Sequence, residues 1–143
     1  MIRWLVVVGV AATACGGGGG TEPDKTTLAA QLSGAQVAPG PGDNDGTGSA
    51  TITFGEQPGT ICYAYSVQFV DQVTGVKVGN GNPNDFGATI ATLATGAQPT
   101  PGGCVSGIDQ AVIRGMKLAP GSYYVEIDTS AFPEGALRGQ LSK

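Results

Sequence analysis

The clearest pattern along the chain is alternation of apolar and polar positions, which predicts strands. Gly48 to Phe54 alternates cleanly, with Ala50, Ile52 and Phe54 on one face and Thr51 and Thr53 on the other. In Thr60 to Val70, Ile61, Tyr63, Tyr65, Val67 and Phe69 share a bulky face expected to be core, and Cys62, Ala64, Ser66 and Gln68 share the opposite one. Tyr123 to Thr129 returns to period two, Tyr123, Val125 and Ile127 facing one way and Tyr124, Glu126 and Asp128 the other. Less regular strands are expected over residues 27–32, 73–78, 87–94 and 136–141. Near Ile108 to Leu118 the alternation breaks: Ile108, Ala111, Val112, Met116 and Leu118 recur at helical spacing, so a short helix is predicted, ended by Pro120-Gly121.

Turn chemistry separates these runs. Ala38 to Gly46 is dense in Pro, Gly, Asp and Asn, Gly79 to Asp85 reads as a loop, Gln98 to Gly103 as a Pro/Gly loop, and Phe132-Pro133-Glu134-Gly135 as a hairpin turn. Short strands at regular spacing predict an all-β fold, an antiparallel β-sandwich (immunoglobulin-like or superoxide dismutase-like) with one short helix.

The N-terminus follows a different rule. One basic residue, Arg3, precedes about ten uncharged apolar positions ending at Ala14, the layout of a secretory signal. That run is too short to span a bilayer, which takes about 20 apolar residues. Ala12-Thr13-Ala14-Cys15 resembles a bacterial lipobox, with Ala12 where Leu is favoured. The resemblance implies a signal at residues 1–14 that is cut away and a lipid on Cys15. Ordinary cleavage that leaves a free thiol is the alternative. The five glycines from Gly16 to Gly20 open a tether over residues 15–26. The folded unit is then residues 27–143. The expected location is the cell envelope, extracytoplasmic and anchored to a membrane by the lipid.

Composition narrows the chemistry. The chain has 143 residues, a net charge of −4 and no histidine. Without imidazole there is no Ser-His-Asp or Cys-His nucleophile and no His-ligated zinc or copper. No basic stripe exists for nucleic acid. Of three cysteines, Cys62 and Cys104 are expected to pair in an oxidising compartment, worth roughly 2–4 kcal/mol. A two-thiolate metal site is the alternative. Cys15 is the odd thiol, which acylation would mask.

At the C-terminus, Tyr123 to Thr129, then Phe132-Pro133-Glu134-Gly135-Ala136-Leu137-Arg138-Gly139-Gln140-Leu141, resembles the closing motif of the CHRD (chordin) domain, Tyr-Val-Asn-Val-His-Thr, Pro-Gly-Gly, Ile-Arg-Gly-Gln-Leu. Tyr124, Thr129, Gly135, Arg138 and Gly139 carry the likeness. Leu32-Ser33-Gly34-Ala35-Gln36-Val37-Ala38-Pro39, Gly48 to Ile52 and Ile61-Cys62-Tyr63 fit the same family, so the resemblance spans roughly Leu28 to Leu141. It implies a β-sandwich envelope module. The family's His-x-His-x-Gly stretch aligns loosely on Val76-Lys77-Val78-Gly79, its closing His on Asp128 and its usual Asn on Glu126.

The candidate ligand sites are weak. Glu126 and Asp128, about 6.5–7 Å apart on one strand face, suit calcium binding or glycoside hydrolysis, but a solvated strand face is the expectation. Arg138, on the adjacent hairpin strand, is expected to pair with one of them. Asp43-Asn44-Asp45-Gly46 looks like the front of a calcium loop, yet the twelfth position is Phe54, not Glu. Asp85 is a further oxygen donor. Tyr63, Tyr65, Phe69, Tyr123 and Tyr124 suit a sugar-stacking surface but are expected in the core. The function expected is a non-catalytic lipoprotein module with no cofactor and no catalytic residue, binding a protein or glycan partner or serving the envelope structurally. The alternative is a calcium-binding or degenerate superoxide dismutase-like domain.

Overall fold

The computed structural model describes residues 26–143; the expected export signal, Cys15 and the glycine run lie outside the described residues. Eight strands form: β1 (Thr27–Ser33), β2 (Thr47–Phe54), β3 (Ile61–Gln68), β4 (Val73–Asn80), β5 (Ala88–Thr95), β6 (Gly102–Val105), β7 (Tyr123–Thr129) and β8 (Leu137–Gln140). One helix, α1 (Gln110–Leu118), precedes β7. The strands make a single antiparallel sheet in the order β5-β4-β7-β8-β1-β2-β3-β6. The sheet curls until its two edge strands, β5 and β6, approach one another, so the molecule is nearly barrel-shaped.

The inner face follows the alternation. Leu28, Ala30 and Leu32 of β1, Ala50, Ile52 and Phe54 of β2, and Val125 and Ile127 of β7 are buried in one cluster. Val76 and Val78 of β4, Ala91 and Leu93 of β5, and Leu137 of β8 complete it. Asp109 caps α1, its carboxylate accepting from the Ala111 amide at 2.7 Å. Ile113 and Met116 carry the helix into the core.

Three expectations are corrected. The buried stripe of α1 is Ile113 and Met116, while Ala111 is exposed and Leu118 is 83 % exposed. Of the expected apolar set, Met116 is buried and Ile108 and Val112 pack against the core, while Ile113 joins them and Ala111 and Leu118 face out. Phe69 is 73 % exposed rather than core. Strand β3 ends at Gln68, and Phe69 turns out at φ +58°, which breaks the alternation that would have buried it. The Pro/Gly segment before Cys104 contains the short strand β6, in register with β3. The Cys62–Cys104 disulfide forms between directly opposed residues of that pair, in place of a thiolate metal site.

Candidate functional site

The other face of the sheet is polar for most of its width, but over β4, β7 and β8 it is covered by loops. A Cβ on Gly135 in the β7–β8 turn would lie 3.0 Å from Val37 Cγ1 and 3.1 Å from Glu126 Cδ, so the two loops close over the strand at this point. Gly135 is also at φ +132°, a conformation that favours glycine.

Under this cover the pairing register sets Lys77, Glu126 and Arg138 in a row across β4, β7 and β8. Lys77 Nζ lies 3.0 Å from Glu126 Oε1 and 3.0 and 3.1 Å from the two Asp128 oxygens. Glu126 is only 5 % exposed. The expected solvated acid face is therefore a covered ion-pair cluster.

The titration directions follow from sharing one ammonium between two acids. Burial pushes the Glu126 carboxyl up, and Lys77 offsets only part of that; Asp128 is raised in the same way. Burial pulls Lys77 down, but its bonds to Asp128 and Glu126 together outweigh it and hold the amine above its ordinary value. Each acid has half a cation, and the lysine has two anions.

Arg138 does not bond either acid, contrary to expectation. It is buried, and its guanidinium donates to the carbonyls of Asp85 (2.6 Å) and Asn82 (2.8 Å) and to Gln140 Oε1 (3.0 Å). Its Cζ lies 3.7 Å from the centroid of the Tyr124 ring. The Tyr124 hydroxyl donates to Gly87 O at 3.1 Å, and Gln140 Nε2 donates to the carbonyls of Gly81 and Gly121. Arg138 and Gln140 thus act as clamps on the loop after β4. Thr129, fully buried, ties down the start of the next turn: its Oγ1 accepts from the Phe132 amide at 3.2 Å. A side chain on Gly139 would run into the carbonyl of Gln31 on β1.

These are the residues that carried the resemblance, and each has a fixed structural task in joining β7, β8 and the loops above them. Residues 28–141 match the CHRD domain. The chain belongs to the CHRD domain family. No curated protein and no solved structure matches it.

In the CHRD domain of this chain, the stretch aligned with the family's His-x-His-x-Gly lies on β4, and its Lys77 bonds Asp128, the place of the closing histidine. Two positions far apart in sequence are thus neighbours, and they hold an ion pair. The remaining candidates disperse. Asp85 is exposed and offers its backbone carbonyl to Arg138. Asp43 is buried in its loop, its carboxyl raised chiefly by a hydrogen bond to Asp45. Among the described residues no three His, Cys, Asp or Glu side chains gather as a metal centre. Tyr124 is buried, whereas Tyr63, Tyr65 and Tyr123 are half-buried against the core. The Tyr65 hydroxyl donates to Pro99 O at 2.8 Å.

Above the ion pairs lies a pocket of about 580 Å³. Lys77, Tyr124 and Glu126 are among its inner lining, and exposed Pro39, Phe86 and Glu134 stand at its edge. Sequence reasoning passed over Lys77 and Phe86. Lys77 carried a signal, a lone charge between two core valines, but its partners sit on a strand some fifty residues away.

Proposed function

We propose that the chain is a non-catalytic envelope lipoprotein, anchored through Cys15, whose CHRD domain serves as a binding or structural module. The curled sheet reads as a sandwich-like module, since its two halves share one buried inner face. The observation that carries the non-catalytic reading is the ion pairing of Lys77 with both Glu126 and Asp128. Carboxylates committed to one protonated amine are poorly placed to share a metal ion or to divide acid and base roles. With no histidine in the chain, no general base of the usual kind stands beside them.

Two measurements test this. Intact-mass analysis of the membrane fraction is expected to show a diacyl or triacyl mass on Cys15, and an unmodified Cys15 overturns the anchor. Millimolar calcium is expected to leave the melting temperature unchanged. A calcium-dependent rise would favour the metal-binding alternative instead.

A further inference from the structure

The pocket over Glu126 has the make-up of a built site, a concave apolar surface with a few placed charges. Its size, about 580 Å³, holds one long side chain with the backbone that carries it. Glu126 is nine-tenths buried, and Lys77 engages its Oε1. Its carboxylate is part of the pocket wall.

The charges decide what fits. Lys77 is the cation of the lining, and it is occupied by two acids. Arg138 does not line the pocket and spends its donors on the loop carbonyls. Glu134 at the mouth adds a second negative charge. An anion therefore meets no unpaired cationic side chain in the lining, and a cation meets the carboxylate of Glu126 in the wall and the exposed carboxylate of Glu134. The chain as a whole is acidic, with a net charge of −4.

The apolar parts fit a stem rather than a bare ion. Phe86 is 79 % exposed at the edge of the pocket, where an aromatic ring can hold a guanidinium or ammonium face-on. Pro39, Pro133 and Glu134 are shared with an adjoining depression of about 380 Å³ that continues past Val37 and Phe132. The two hollows adjoin at these three residues, an arrangement suited to an extended chain with one side chain turned inward.

We propose that this groove receives an extended basic segment of a partner protein, with one arginine or lysine side chain seated between Glu126, Glu134 and Phe86. The inference rests on the binding-module reading and names its partner chemistry. Its failure would leave the anchor and the non-catalytic reading standing, because the mass and calcium measurements do not involve the groove.

The test uses the full chain in zwitterionic detergent with Nα-acetyl-arginine amide as probe, followed by amide nitrogen–proton shifts. Saturable shifts are expected at Lys77, Phe86 to Thr89, Glu126 and Glu134. The uncharged citrulline and norleucine amides are expected to bind roughly tenfold more weakly. Glu126→Gln is expected to weaken arginine binding about tenfold, and Glu134→Gln about two- to threefold, with a loss of salt dependence. Phe86→Ala is expected to weaken it about threefold. If Glu126→Gln does not fold, the two exposed-site variants decide, since neither side chain belongs to the core. Equal binding of the citrulline amide overturns the proposal. So does unchanged affinity in both exposed-site variants, or a neutral disaccharide such as maltose shifting these amides where the arginine probe does not.

Discussion

At the scale of the residue, the ion-pair row across β4, β7 and β8 makes the sharpest demands. Lys77→Met is expected to leave two acids under a covering loop without their cation. Breaking a fully buried pair costs about 3–5 kcal/mol; the Lys77 side chain is 23 % exposed, so about 2 kcal/mol is expected at pH 7. The pH dependence has a definite sign. Glu126 and Asp128 titrate above the ordinary carboxylate range in the folded chain, so the folded state holds those protons more tightly than the unfolded one. Their contribution is fully present below that ordinary range and is lost as pH rises through the raised values. Removing Lys77 raises both acids further, so the deficit of the variant shrinks toward about pH 5. Urea unfolding at the two pH values checks this, and a deficit independent of pH would show that the loss is packing alone. Arg138 makes the second demand. Arg138→Ala is expected to lower stability by about 3 kcal/mol by orphaning the carbonyls of Asn82 and Asp85. Arg138→Lys is expected to recover only part of that, because an ammonium cannot fork to two carbonyls while lying on the Tyr124 ring. Equal melting of the Arg138→Lys variant and wild type would mean that the charge alone matters.

Among the elements, local pattern and non-local pairing separate what could be read from what could not. The alternation of β2 and β7 was visible because each buries one face, and period two then appears directly in the residues. The bulges of β4 against β5, at Val76/Lys77 and at Val78/Gly79, blur that period, and the extension to Asn80 was hidden by its Gly-Asn composition. Strand β6 was missed because Gly102-Gly103 has no intrinsic strand signal. Its place is set by pairing with β3 and by the disulfide. The acid pair was legible as a pair, but its burial was not, since the cover comes from loops over other strands. For β6 this has a measurable consequence. Replacing Cys62 and Cys104 together by serine opens a covalent loop of 42 residues' separation and is expected to cost up to about 4 kcal/mol. Amide exchange should accelerate first in residues 102–105, at the sheet edge, while β1, β2 and β7 keep their protection. Uniform acceleration across the sheet would show instead that β6 is not a separable edge.

For the whole molecule, the proposed address and the fold occupy separate stretches of the chain. The CHRD match covers residues 28–141, and among the described residues every core side chain lies within it, from Leu28 to Leu141. The anchor proposed at Cys15 lies before the first strand, which begins at Thr27, with five glycines between. If the anchor and the folded domain are separate devices, altering the anchor leaves stability untouched, as ordinary surface substitutions do within about 0.5 kcal/mol. Cys15→Ser is therefore expected to move the protein from the membrane fraction to the soluble one while its melting temperature stays within about 2–3 °C of wild type. Partition is read by fractionation and blotting, and melting by circular dichroism of the purified chain. Continued membrane retention would refute the lipid as anchor. A large fall in melting temperature would show that the anchor segment packs on the sheet, and the two devices would then be one.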